Sequence, residues 1–239
     1  MSEQNVSAPL PRMYPVFLKM EGIPCLVIGG GPIAYQKASE LWECGAVVRV
    51  ISPDLDAQWT EAIATSCATH IARPYAPGDV GDARMVISAT ADPVVDAMVY
   101  EEARARGAWV NIVDVPDRCE FYAGSVVRRG PVVVSISTSG ASPSLAIAIR
   151  RRVERALPAG VGDLAATLGK MRASILSRFP SYRPRADRMN HVVARIFEEL
   201  SEELTCPTVP LERALRCPHE TCNPAACCAF GSSTMEPSR

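Results

Sequence analysis

Between residues 24 and 113 the chain alternates short apolar runs with stretches of helical periodicity. Pro24–Ile28 is a continuous apolar run, and Gly29, Gly30 and Gly31 end it. Apolar positions then recur at helical spacing over about 33–44, and Gly45 stands where a helix-terminating glycine belongs. The rhythm repeats with a strand at 46–51 and a helix containing Trp59 and Ile63. Strands follow at 69–72, 85–89 and 109–113, with a helix over 93–106 between the last two. Strands and helices alternating with short links predict a parallel sheet covered on both faces, an α/β fold of Rossmann-like type.

After Asp114 the pattern changes. Residues 121–127 and 131–137 read as two strands, joined through Arg128, Arg129 and Gly130 as a hairpin. Ser142 followed by Pro143 has the form of a helix N-cap with proline in the first turn. Leu145, Ile149, Val153 and Leu157 then recur at helical spacing, which predicts a helix burying that stripe. Further helices are expected over 161–179 and 184–204. The expected organisation is a Rossmann-like domain over 1–114, a small β unit over 115–142, a helical region over 143–204 and a tail over 205–239.

The segment from Cys25 to Ala34 satisfies G-x-G-x-x-G/A between a strand and a helix. Gly29 permits a tight turn, Gly31 lets backbone approach a pyrophosphate, and Ala34 lets the helix pack closely. The helix start at Pro32 and Ile33 supplies oriented N–H donors. An ordinary turn would not need this context on both sides, so the motif assigns a dinucleotide site to Gly29, Gly30, Gly31, Pro32 and Ile33. The ribose-reading carboxylate of such sites lies about 20 residues on. Here that region holds Pro53 and Asp54, and no arginine follows the strand, although Arg49 lies within it. NAD is therefore expected over NADP. Asp54 also suits a turn or the N-cap of the next helix.

Composition narrows the class. Of the 239 residues, 48% are apolar, which excludes wholesale disorder, and the net charge of −1 provides no global field for nucleic acid or an anionic membrane. The N-terminus has no basic start or apolar stretch of a secretory leader, and no run of about 18 apolar residues occurs. A soluble cytoplasmic protein with no nucleic-acid or membrane partner is expected. Of nine cysteines, Cys25, Cys44, Cys67 and Cys119 are scattered through apolar segments, as reduced thiols would be. Cys206, Cys217, Cys222, Cys227 and Cys228 crowd into the tail. Cys217, His219, Cys222, Cys227 and Cys228 offer soft ligands suited to zinc, cuprous copper or an iron–sulfur cluster, but their spacing is loose for zinc and matches no common ferredoxin pattern. A tail of reactive thiols is the competing reading.

Several segments together resemble one family. Phe17 to Lys19, Val27 to Lys37, Ser88 to Asp92, Asn111 to Asp117 and Ser137 to Pro143 are similar to the precorrin-2 dehydrogenase/sirohydrochlorin ferrochelatase family of sirohaem biosynthesis. The resemblance runs from Met13 to Phe179, in order and at consistent spacing. It implies NAD-dependent oxidation of the tetrapyrrole precorrin-2 to sirohydrochlorin, in many members ferrous iron insertion to give sirohaem, and a homodimer built through the segment after the Rossmann domain. It also implies that Asp114 serves both chemistries. The chain departs from the pattern at Thr138, serine in some relatives, and in the cysteine-rich tail.

The residues themselves allow two readings of Asp114. It ends a predicted strand at the edge where open α/β sheets place ligands, and removal of a hydride from a saturated carbon bridge requires a base. It also suits a turn residue before Val115, Pro116 and Asp117. His70, His191 and His219 fall in no catalytic pattern. Asn111, Thr138, Ser139, Gly140 and Ser142 are the candidate substrate contacts, the last four in a hydroxyl-rich loop at a helix start that also suits capping. Arg150, Arg151, Arg152 and Arg155 would attract substrate carboxylates, form a solvated helix face or make ion pairs at a dimer contact. Two further functions compete: an NAD-dependent dehydrogenase of another small substrate, and a non-catalytic NAD-binding redox or metal sensor.

Overall fold

The computed structural model describes residues 12–178, together with 181, 183, 186, 187 and 190–194. Five strands, β1 (Pro24–Ile28), β2 (Val47–Ile51), β3 (Ala68–Ile71), β4 (Met85–Ser88) and β5 (Trp109–Ile112), form one sheet in the order β3-β2-β1-β4-β5. Every pairing is parallel. The chain leaves β3 at one edge and returns as β4 beside β1. The strand order therefore reverses between β1 and β4, and a ligand crevice belongs at their C-terminal ends.

Alternate residues of each strand serve opposite faces. Cys25 and Val27 of β1, Val48 and Val50 of β2, and Met85 and Ile87 of β4 enter one apolar cluster with Ala34, Ala38 and Leu41 of α1 (Pro32–Trp42) and Trp59 of α2 (Trp59–Ala64). Leu26, Ile28, Val86, Val110 and Ile112 enter the other with Val99 and Ala103 of α3 (Pro93–Ala105). A sheet covered on both faces has no polar side, which is why its strands read as continuous apolar runs. Asp92 caps α3, its carboxylate accepting from the Val94 and Val95 N–H groups at 2.8 and 3.3 Å, with Pro93 in the first turn.

Beyond β5 come a 3₁₀ turn (Pro116–Arg118), the hairpin β6 (Ser125–Arg129) and β7 (Val132–Ile136), and helices α4 (Pro143–Ala156) and α5 (Val161–Arg178). The described chain divides into two compact units. One runs to Val126 and includes Ser135–Arg152; the other comprises Val127–Val134 and the described residues from Val153.

Two expectations change here. The strand expected over 121–127 begins at Ser125 and runs through Arg129. Gly130, at a φ of 54°, lets the chain reverse within a tighter turn than Arg128 to Gly130. Phe121 is drawn away instead, its carbonyl accepting from the Asn111 amide at 2.8 Å. The apolar stripe of α4 is not buried. Leu145 and Ile149 are exposed and Ala146 is the residue that packs inward, a displacement of about a quarter turn from the predicted face.

Candidate cofactor and substrate site

The three glycines meet three different surroundings. Gly29 has a φ of 115°, and a β-carbon there would lie 2.5 Å from the Ala89 carbonyl oxygen at the end of β4. At Gly30 a β-carbon would overlap the Asp54 carbonyl oxygen and crowd the Ser52 hydroxyl at 2.8 Å. The Gly30 carbonyl accepts from the Trp59 indole N–H at 2.9 Å and the Asp56 N–H at 3.0 Å, so the loop is tied to the segment that follows β2. A β-carbon at Gly31 would meet nothing within 4 Å. Gly31 is the N-cap of α1, whose start has no side-chain cap and no acidic residue in its first turn. Open space beside uncapped N–H donors at the positive end of a helix fits a pyrophosphate.

Pro53 and Asp54 are exposed at the C-terminal end of β2, beside Gly30. The N-cap of α2 is Gln58, so Asp54 does not cap that helix. Arg49 is engaged elsewhere, donating to Asp82 at 3.1 Å and to the Val80 carbonyl at 3.3 Å. The arrangement offers a carboxylate for ribose hydroxyls and no guanidinium for a 2′-phosphate.

A cleft of about 360 Å³ opens over the ends of β4 and β5. Ile33, Ala89, Asp96, Val113, Asp114 and Arg118 are among the residues lining it. Asp114 is exposed in a left-handed conformation, φ 62°, in the turn closed by the Val115 N–H on the Ile112 carbonyl at 3.1 Å. Such a conformation is costly for a residue with a β-carbon and is tolerated best by Asp and Asn. Burial pushes the neighbouring Cys119 thiol above its ordinary range and the Asp114 charge adds to that effect, so Cys119 is no thiolate nucleophile at neutral pH.

Asn111 and the hydroxyl-rich loop are spent largely on structure. Besides its amide bond to Phe121, Asn111 pairs with Cys119 through an isolated bridge. The Thr138 hydroxyl donates to the Ser142 carbonyl at 3.0 Å and accepts from the Ser142 N–H at 3.1 Å, while the Ser142 hydroxyl accepts from the Leu145 N–H at 3.2 Å as a helix cap. Ser139 and Gly140 take left-handed conformations, φ 54° and 83°. Gly140 faces the Tyr122 ring, whose hydroxyl donates to the Pro116 carbonyl at 3.5 Å, so this loop meets the turn that carries Asp114. Arg150, Arg151, Arg152 and Arg155 lie on α4, and none of them lines the cleft. Cys217, His219, Cys222, Cys227 and Cys228 lie outside the described residues; among the described residues no cluster of His, Cys, Asp or Glu could hold a metal.

Three residues here carried no motif. Trp59 anchors Gly30, and its position at a helix start gave no signal of that. Asp96 is a buried carboxylate on the cleft wall, accepting from the Ser88 hydroxyl at 2.6 Å and the Thr90 hydroxyl at 2.9 Å. An acidic residue four positions after the Asp92 cap, with two hydroxyls just upstream, was the available sign. Arg118 is the basic residue among those lining the cleft.

Residues 16–125 match a family model described as "Putative NAD(P)-binding". The siroheme synthase of Methylobacillus flagellatus is 40% identical over 171 residues, covering 72% of this chain and 37% of that protein. The siroheme synthase of Photobacterium profundum is 36% identical over 186 residues, covering 78% of this chain and 40% of that protein. A solved structure titled SirC, precorrin-2 dehydrogenase, superposes with a TM-score of 0.67 at 22% identity, covering 85% of this chain and 97% of that one. The chain is similar to the precorrin-2 dehydrogenase/siroheme synthase N-terminal family. It spans less than half the length of the siroheme synthases it matches. The residues matched by the NAD(P)-binding model include both the glycine loop and the Asp114 turn.

Proposed function

We propose that the chain is an NAD-dependent precorrin-2 dehydrogenase that forms sirohydrochlorin. The observation that carries this reading is the juxtaposition across one cleft of Ile33, at the open start of α1, and the Asp114 carboxylate after β5. When bound, NAD supplies the hydride acceptor. Gly31 would leave room for its pyrophosphate, the α1 N–H groups would bind that charge, and Pro53 and Asp54 would meet its ribose. Asp114 takes the proton released as a saturated bridge carbon of the substrate loses hydride. Oxidation then removes two hydrogens, one as hydride and one as a proton held on Asp114. Thr138, Ser139, Gly140 and Ser142 shape the substrate side, with Gly140 against the Tyr122 ring, and Asn111 fixes the strand that aims Asp114.

The test is an anaerobic assay of the purified protein with precorrin-2 and NAD, followed spectroscopically. Asp114→Asn keeps the shape and removes the base, so turnover should fall about 100- to 10,000-fold with NAD affinity nearly intact. Near-normal turnover would reduce Asp114 to a turn residue. Ferrous iron added after sirohydrochlorin has formed tests the chelatase activity that the family resemblance implies, with iron as substrate. Wild-type protein that binds NAD but never reduces it with precorrin-2 would favour a sensor or a different substrate.

The protein is further proposed to act as a homodimer. Exposed Leu145 and Ile149, four residues apart on one face of α4, support this, since neighbouring large apolar side chains on a surface helix mark a contact face. Sedimentation at micromolar concentration checks it. Among the described residues no helix is long and apolar enough to cross a membrane, and a cytoplasmic location is proposed.

A further inference from the structure

The cleft beside Asp114 is short of positive charge. Asp96 and Asp114 both line it, and Arg118 is the basic residue among the lining groups. A tetrapyrrole precursor carries several carboxylates on its rim, so bringing it to Asp114 sets like charges against one another unless a cation intervenes. Arg118 sits on the 3₁₀ turn directly after Asp114, and its N–H bonds the Val115 carbonyl at 2.9 Å. Its guanidinium lies 5.8 Å from the centre of the Tyr100 ring.

Tyr100 is approached by a second guanidinium, that of Arg104, at 5.6 Å. Arg104 is already partnered: it pairs with Glu120 at 3.5 Å and donates to the Tyr100 hydroxyl at 3.2 Å. Arg118 forms no ion pair among the described residues. The ring therefore holds a guanidinium in place without neutralising it, at the wall of the cleft.

We propose that Arg118 receives a carboxylate of the substrate's rim and so holds the macrocycle in the cleft beside Asp114. This rests on the dehydrogenase reading above. Its chemistry is a forked, charge-assisted pair, for which arginine is suited and lysine is a poorer substitute. Arg118 is a substrate-binding residue in this account, and takes no part in moving hydride or proton.

The experiment is steady-state kinetics of the full chain with precorrin-2 and NAD under anaerobic conditions, with NAD affinity measured separately by calorimetry. Arg118→Gln should raise KM for precorrin-2 about 10- to 100-fold. Its kcat should stay within about threefold and NAD affinity within about twofold, a split that loss of transition-state contacts would not give. Wild-type KM should climb with ionic strength, and that slope should flatten in the variant. Should Arg118→Gln fold poorly by thermal unfolding, Arg118→Lys keeps the charge and should show a smaller rise in KM with the salt slope retained. An unchanged KM overturns the proposal, as does an equal loss of NAD affinity, which would assign the guanidinium to the cofactor. Wild-type protein that binds NAD yet oxidises no precorrin-2 overturns the dehydrogenase reading itself, and Arg118's role falls with it.

Discussion

Gly30 and Gly31 differ in what forbids a side chain. At Gly30 the obstacle is the protein, since a β-carbon would overlap the Asp54 carbonyl. At Gly31 nothing of the protein stands within 4 Å, and the backbone has an ordinary φ of −81°. The proposed pyrophosphate is what would need that space. Gly31→Ala should therefore fold with an unchanged melting temperature and bind NAD at least about tenfold more weakly, whereas Gly30→Ala should lose about 1–3 kcal/mol of stability through overpacking. Calorimetric titration and thermal unfolding of the two variants separate these effects; normal NAD affinity in Gly31→Ala would remove the pyrophosphate from this loop. Cysteine reactivity is decided at the same scale. Burial pushes the Cys25 thiol up to about 11, while Cys67 is exposed. Iodoacetamide at pH 8 should label Cys67 quickly and leave Cys25 unmodified in the folded protein, as mass spectrometry of digests would show. Much of this detail was legible in the residues: glycine spacing after an apolar run marks a phosphate loop because few other features require it. Asp96 and Arg118 were not legible, because a carboxylate or guanidinium earns its role from what surrounds it, and that is set by distant strands.

The strands and helices of the sheet unit follow the apolar pattern closely because burial on both faces leaves little choice of register. Pro24–Ile28 and Trp109–Ile112 start where the pattern starts, and α1 and α3 begin at prolines. The pattern misleads where tertiary contacts compete with it, as at Phe121 and along α4. The link between β3 and β4 shows another element-level force. Its residues 73–82 hold to α3 through Glu102, which accepts from the Tyr75 hydroxyl at 2.6 Å, the Gly78 N–H at 2.8 Å and Arg106 at 3.0 Å. Burial alone would push the Glu102 carboxyl up, but these donors together outweigh it and hold the group below its ordinary value of 4.5. A lowered folded value means the contribution is full above 4.5 and is lost as pH falls through the folded value. Tyr75 behaves oppositely: burial, with Glu102 adding, raises it, so its contribution is full below 10.0 and fades as pH climbs above that. Glu102→Gln should cost about 1–3 kcal/mol at pH 7 and flatten the acid limb of stability against pH. Urea unfolding between pH 3 and pH 7 measures both. An acid limb as steep as wild type would place the acid sensitivity in other carboxylates.

At the scale of the molecule, both apolar clusters are built from residues between Met20 and Phe121, and the glycine loop, Asp114, Arg118 and the hydroxyl-rich loop all belong to the unit around them. Among the described residues, the cofactor side of the site thus depends on a core that uses nothing beyond residue 152. Residues 205–239 add five of the nine cysteines. Pro207, Pro210, Pro218 and Pro224 also interrupt any helix continuing from the preceding segment. A chain truncated after Leu204 should therefore keep its melting temperature within about 2 °C, since a change of about 1 kcal/mol shifts a domain of this size by about 2–4 °C. NAD affinity and precorrin-2 turnover should also be retained. Metal bound per chain, measured after incubation with zinc and desalting, should drop only if the tail cysteines are ligands. Loss of NAD affinity in a truncated protein that still folds would mean that the tail contacts the dinucleotide. Loss of turnover with NAD affinity intact would instead place the tail on the substrate side, next to Asp114 and Arg118, and the thiols would then have to be counted among the groups that meet the tetrapyrrole or its iron.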